Sequence, residues 1–380
     1  MSMQRRQWMK LGLGLGLGFG GAAAWAHAEQ GANALQSPAK PNERKASKAQ
    51  ELLSQLVWHE RALIGFGTTL WLRAGHANVA QLDAALDAAV KALRDVETEM
   101  SLFNPHSAVS RLNDTGVLHK PSAHLRSVLR LSAQVSRRSA GAFDISMQPL
   151  WKVWAEAQAA EQLPAKRAVA QAQKHVNWQA VEVTPDAVRL NLKGMGVSLN
   201  GIAQGYAADV VKAVLQAHGM AHAQIDAGET ALLGQAPGGK PWTLTVEDVA
   251  LTHKTMPVKP HQSASSGQLH LAKKDETVVQ MDGRAIATSS DAHTAFSADH
   301  LHHHILNPHT GYSPAHWASV SVLAPSCVLA DALTKVFFMQ SPQQLHATAK
   351  AWGVDVLAQR KSGEWVATAG VPLVKPISHS

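Results

Sequence analysis

Leu199-Asn200-Gly201-Ile202-Ala203-Gln204-Gly205-Tyr206-Ala207-Ala208-Asp209 is the stretch on which the fold turns. A helical apolar spacing opens near Ile202 and runs to about His218, where Gly219 supplies the residue that ends helices. Upstream, Val181-Glu182-Val183 and Ala187-Val188-Arg189-Leu190 are split by a Thr-Pro-Asp turn and read as a hairpin. Downstream, Ile225 lies in a short strand that ends at Gly228. A helix thus sits between strands, and the same interleaving recurs along the chain.

Strand character surrounds Gly65-Phe66-Gly67-Thr68-Thr69-Leu70-Trp71-Leu72 within residues 57–73. From Gln81 to Leu102, Leu82, Leu86, Val90, Leu93, Val96 and Met100 recur every three or four residues and predict an amphipathic helix. A second helix is predicted over 122–138 with Ser122 as N-cap. Strands are expected at Val278–Met281 and Ala318–Leu323, then a helix over Leu329–Met339. Ser341-Pro342 starts another helix by N-cap and first-turn proline chemistry, and Gly353 ends it. Val354–Gln359 and Glu364–Thr368 close the chain as strands. The pattern predicts an α+β fold, with mixed and antiparallel sheets and packed helices, in a single bilobed domain over residues 51–375. Residues 251–280 are polar and aperiodic and read as a mobile surface excursion; residues 29–50 read as a polar linker.

Residues 1–28 read as an export signal. Arg5-Arg6 precede Gln7-Trp8-Met9-Lys10 and a Leu/Gly-rich apolar run, and Ala26-His27-Ala28 supplies small residues before a cleavage point at Glu29. The arginine pair and mild apolar core resemble a twin-arginine signal, so the mature protein is expected in the periplasm. No other apolar run is long enough for a membrane span. The apolar fraction of 46% excludes wholesale disorder. The single cysteine, Cys327, excludes an internal disulfide, a cysteine-rich zinc site and a cysteine-ligated cluster. The net charge of +7 includes three positive charges in the signal, and no dense basic run follows, so nucleic-acid binding is not expected.

Several segments carry candidate chemistry. They are Gly65-Phe66-Gly67-Thr68; Met100-Ser101-Leu102-Phe103-Asn104-Pro105-His106-Ser107 with Ser110-Arg111-Leu112-Asn113; Gly141-Ala142-Phe143-Asp144; the opening stretch; Ala287-Thr288-Ser289; His304-Ile305-Leu306-Asn307-Pro308-His309-Thr310-Gly311; and Ala330-Asp331-Ala332-Leu333. Taken singly, each has a plain structural reading. Phe143 is a core aromatic, Asp331 a capping carboxylate at a helix start, and His302-His303-His304 a solvated strand on which His302 and His304 share a face. Cys327 is an inert buried thiol.

In this order, the segments resemble the ApbE family of FAD:protein FMN transferases, from about residue 58 to about 360. The resemblance implies an enzyme that binds FAD and magnesium. It transfers FMN through a phosphoester to a Thr or Ser hydroxyl of an acceptor flavoprotein and releases AMP. It implies His304 as the base, a group that titrates near neutrality. It places Phe66, Phe103, Ala142, Phe143, Asp144, Ser198 and Gln204 around the flavin, with Thr288 and Ser289 donating to phosphate or ribose. It assigns the metal to Asp331 and the Gly201 carbonyl.

Departures from the family pattern are specific. Ser198 stands where Asp is common, Gln204 replaces a charged residue, Gly228-Glu229 replaces Gly-Gly, and Asn307 replaces Asp. The second metal side chain, a Thr four residues after the Asp, is here Lys335; Thr334 falls one place early, a rotation of about 100° on a helix. The Lys335 ammonium either occupies the metal's own position or points away and leaves the metal to Asp331, carbonyls and water. The combination resembles a periplasmic branch that includes the NosX accessory proteins. It implies as acceptor the FMN-binding domain of a periplasmic or membrane-anchored electron-transfer flavoprotein, NosR-like or from another respiratory or ion-pumping complex. Two other readings stay open: an FAD carrier or chaperone without transfer, and a metal-dependent FAD pyrophosphatase yielding FMN and AMP.

Overall fold

The structure, a computed structural model, describes residues 53–249 and 277–374 apart from residues 293 and 298. The export signal over 1–28, the linker over 29–50 and residues 251–276 of the expected excursion lie outside the described residues. The last four residues of that excursion form a strand.

The described chain begins with a hairpin, β1 (Val57–Gly65) and β2 (Thr68–His76), paired in register from Val57–His76 to Gly65–Thr68. Its two-residue turn, Phe66-Gly67, has φ of 51° and 80°, the left-handed pair that matches strand twist. Helix α1 (Val79–Met100) follows, capped by the Asn78 side chain accepting from Gln81 N, with Leu82, Leu86, Leu93, Val96 and Met100 wholly buried. Then come α2 (Ala108–Thr115), β3 (Val117–His119), α3 (Ala123–Arg138), α4 (Gln148–Ala159) and α5 (Lys166–Gln173). Strands β4 (Val181–Val183) and β5 (Ala187–Leu190) lead to α6 (Ala203–Ala217), β6 (His222–Asp226), β7 (Thr230–Leu233) and β8 (Thr243–Val246). The remainder is β9 (Thr277–Gln280), β10 (Ala285–Ser290), β11 (Trp317–Ala324), α7 (Cys327–Phe338), α8 (Pro342–Trp352), β12 (Asp355–Arg360) and β13 (Trp365–Ala367).

An eight-stranded antiparallel sheet in the order β1-β2-β6-β7-β10-β11-β12-β13 is the frame. Smaller sheets are β3-β5-β4 and β8-β9. The architecture is α+β with antiparallel sheets and packed helices. Alternation along β10 shows how both faces of the frame are covered. Ala285 and Ala287 join the main core with residues of α1, α6 and α7, while Ile286 joins Trp242, Val246 and Val279 on the other side. No described helix is long and apolar enough to cross a membrane.

The α6–α7 contact positions the site. A Cβ on Gly205 would lie 2.4 Å from the Cys327 carbonyl oxygen and 2.7 Å from Asp331 Cβ, so only glycine allows this approach. Asp209, one turn on, accepts from Cys327 N and Val328 N at 2.9 Å each and so caps α7. Gly205 and Asp209 therefore have structural work in the opening stretch of sequence, and Gly205 N also donates to Asp331 Oδ2 at 3.0 Å.

Candidate active site

A cavity of about 770 Å³ opens where the start of α6, the last turn of α7, β10 and several loops converge. It is roomy enough for a dinucleotide. Ala142, Phe143, Asp144, Ser198, Gly201, Gln204, Thr288, Ser289, His304 and Lys335 all line it. These residues span much of the sequence, and the fold brings them to one wall-and-floor arrangement.

Each loop is fixed by its own hydrogen bonds. Asp144 Oδ1 accepts from Ser146 N at 2.7 Å and Ser146 Oγ at 2.6 Å, and Oδ2 accepts from Trp178 N at 3.1 Å. Burial nevertheless holds its carboxyl above the usual range, against the pull of these donors. Ser198 N donates to Ile145 O at 2.7 Å and joins the second loop to the first. The Gln204 amide lies over the bare face of Gly228, whose φ is +94°; a Cβ there would fall 2.0 Å from Gln204 Nε2.

The three histidines take separate environments, so His302 and His304 do not share a strand face. His302 lies against Trp154, their ring centroids 5.0 Å apart. His303 is wholly buried against Phe338, and burial pushes its pKa down to about 3. His304 lines the cavity, with Nδ1 3.2 Å from the Thr294 carbonyl oxygen. A carbonyl only accepts, so Nδ1 carries the hydrogen and Nε2 is the basic nitrogen of the neutral ring.

Four expected site residues do not line the cavity. Phe66 sits in the β1–β2 turn, its N–H on Glu97 Oε1 at 2.9 Å and its ring partly packed on the main core. Phe103 is 67% exposed and covers Gly67, where a Cβ would meet its ring at 2.7 Å. The turn geometry draws both rings to the hairpin, and Thr68 is the residue from this segment that reaches the cavity wall. Thr334 is buried behind the wall, donating to Asp331 O at 2.7 Å and bonded to Ser289 Oγ at 2.7 Å. Asp331 is also wholly buried, beneath Lys335.

The metal site implied by the resemblance would draw on these donors. Asp331 Oδ1 accepts from the Lys335 ammonium and Oδ2 from Gly205 N, while the Thr334 hydroxyl is engaged as described. A cation already holds the carboxylate, so Asp331 and Thr334 do not fit as ligands to a divalent ion. Among the described residues, no group of three His, Cys, Asp or Glu side chains is placed to hold a metal ion.

Glu229 is a site residue that the sequence reading passed over. It lines the cavity, is buried, and accepts from Thr288 N at 2.8 Å. Burial, with the Asp331 charge nearby, raises its pKa well above the ordinary carboxylate value, against the pull of Lys335. Its signal was the change from Gly-Gly to Gly228-Glu229. The expected hydroxyl donors are also partly committed: Thr288 Oγ1 bonds Ser321 Oγ at 2.8 Å, and Ser289 turns to Thr334. Trp151 and the β8 residues Leu244, Thr245 and Val246 also line the cavity. Burial pushes the Cys327 thiol up, as expected of an inert cysteine.

A sequence model described as the ApbE family matches residues 66–358. The chain belongs to the ApbE family. The FAD:protein FMN transferase of Vibrio cholerae serotype O1 is 25% identical over 278 residues, which cover 70% of this chain and 76% of that protein. The FAD:protein FMN transferase of Treponema pallidum is 27% identical over 316 residues, covering 79% and 83%. The crystal structure of the ApbE protein of Thermotoga maritima matches with a TM-score of 0.69 and 21% identity, covering 82% of this chain and 97% of that one. The ApbE fold is thus shared at low sequence identity, and the site residues above occupy a family scaffold.

Proposed function

We propose that this ApbE-family protein is an FAD:protein FMN transferase that attaches FMN to a Thr or Ser hydroxyl of an acceptor flavoprotein. The observation that carries the reading is the convergence of His304, Lys335 and the Ala142–Asp144 loop on one cavity of about 770 Å³ in a chain of this family. The donor is FAD. The acceptor oxygen forms a bond to the phosphorus of the FMN half, the bridging P–O bond of the pyrophosphate breaks, and AMP leaves with the bridging oxygen. His304 Nε2 takes the hydroxyl proton, held towards the cavity by the Nδ1 contact to Thr294. Phe143 and the apolar wall exclude water from the bond being made, and Ala142 leaves space for a flat ring beside it. Magnesium, implied by the sequence resemblance, is given no step, because Asp331 and Thr334 are engaged with Lys335, Gly205 and Ser289.

The acceptor in this reading is the FMN-binding domain of a periplasmic or membrane-anchored electron-transfer flavoprotein, NosR-like in the NosX-type branch. The arginine pair and apolar run of residues 1–28 support periplasmic placement by twin-arginine export. The testing experiment follows AMP release from FAD with and without an acceptor domain. Release that requires the acceptor supports transfer. Release of AMP and free FMN without acceptor would make the protein a pyrophosphatase, and bound FAD with no AMP would make it a carrier.

A further inference from the structure

We propose that the Lys335 ammonium, seated on Asp331 at the cavity wall, is the resident cation of this site and binds a phosphate oxygen of the ligand directly, where a divalent metal ion would otherwise bridge protein and phosphate. The inference rests on the FAD reading for the pyrophosphate; the cation at the cavity wall by itself favours an anionic group.

Four observations carry it. Lys335 lies one helical turn after Asp331 on α7, and its ammonium donates to Asp331 Oδ1 and, at 3.2 Å, to Asp331 O. An ammonium has three donors, and these two bonds leave one for the cavity that Lys335 lines. The Asp331 carboxylate is wholly buried and fixed from behind by Gly205 N, so the ammonium rests on a rigid anion instead of swinging on a free stem. The stem itself is seated: a Cβ on Gly201 would lie 3.2 Å from Lys335 Cε, so the glycine leaves the channel through which the side chain runs.

The surrounding charge is arranged for an anion. Glu229, a buried carboxyl that also lines the cavity, has its pKa raised well above the ordinary value by burial and by the Asp331 charge, which favours its neutral form beside the lysine. The site therefore offers a donor cation beside a carboxyl that favours its neutral form. Glu229 and Lys335 line one cavity and feel each other's charge, so the two departures from the family pattern meet at the same site.

The test is calorimetric titration of the full chain, and of its K335M and D331N/K335M variants, with inorganic pyrophosphate and with FAD. Each titration is run in chelator and again with magnesium chloride. The double variant removes the buried unpaired carboxylate that K335M alone would leave, and thermal melting checks that each variant folds. The expected result is binding of both probes by the unsubstituted protein in chelator, little changed by magnesium, with a loss of about tenfold or more in both variants. Binding that needs magnesium, or a double variant that binds as well as the unsubstituted protein, would overturn the proposal. Lysine-dependent binding of pyrophosphate without any binding of FAD would uphold it while refuting the FAD reading. Failure of both probes under both conditions would refute it as well.

Discussion

Lowering the pH from 7.5 to 4.5 should destabilise the fold through His303, which stays neutral in the folded chain while the unfolded chain takes up its proton. The ring is wholly buried. Burial, then the positive charges of His304 and Lys361, push its pKa down to about 3, and its contact with the Pro314 carbonyl oxygen recovers only part of that. The unfolded chain, with a histidine pKa of about 6.5, takes up the proton first as pH falls. The stabilisation is thus complete above about pH 6.5 and is lost progressively between about 6.5 and 3. One unit below 6.5, at pH 5.5, the loss is about 1.4 kcal/mol; at pH 4.5 it is about 2.7 kcal/mol. Carboxylates titrate over the same range, so the assay is the difference between the unsubstituted chain and H303F in urea unfolding at pH 7.5, 5.5 and 4.5. Phenylalanine keeps a ring against Phe338 and cannot take a proton. H303F gives up the Pro314 contact at every pH, but relative to the unsubstituted chain it should gain about 1.4 and then about 2.7 kcal/mol on acidification. A gap that stays constant across the three pH values would refute the buried neutral imidazole. The consequence reaches the site, because His303 N donates to Ser313 Oγ at 2.8 Å and Ser313 Oγ donates to His303 O at 2.7 Å, fixing the segment that presents His304.

Gly205→Ala places a Cβ 2.4 Å from a backbone carbonyl oxygen, and overpacking of about 1–3 kcal/mol outweighs the helix-propensity gain of up to about 1 kcal/mol. Urea unfolding should show a net loss, and a more stable variant would mean that the α6–α7 crossing is misread. Asp209→Ala removes the two-pronged cap of α7 and should cost about 0.5–2 kcal/mol in the same assay; an unchanged midpoint would contradict the cap. His304→Gln should lower the turnover of FMN transfer by about a hundredfold or more with little change in FAD affinity, and equal turnover would remove His304 from the proton step.

What the sequence disclosed follows from how local each signal is. The helices with a side-chain cap or a long apolar ladder were legible: α3 from Ser122, α8 from Ser341-Pro342, and α1 from its buried leucines. Helices α4 and α5 escaped because Met147 and Ala165 cap them without any side-chain bond, and α2 because it is only eight residues long. Strands β7 and β8 are only four residues each, and β8 pairs with β9, about thirty residues further along the chain. In the site, Ala142, Phe143, Asp144, Ser198, Gln204, Thr288, Ser289 and His304 reached the cavity, while Asp331 and Thr334 lie buried outside its lining. The apolar Phe66 and Phe103 did not reach it either, since an aromatic residue type carries no information about which side of a turn it will cover. Lys335 was visible as a one-residue change of register, but its direction depended on Gly201 and Asp331, which only packing brings together. Glu229 was missed because a glycine-to-acid change reads as surface variation until burial and the Thr288 bond place it in the wall.

The central claim is transfer, and intact mass tests it most directly. An FMN-binding acceptor domain incubated with this protein and FAD should gain the mass of one FMN, and the gain should vanish when the acceptor's threonine is changed to valine. An acceptor of unchanged mass, while the protein holds FAD, would contradict the account.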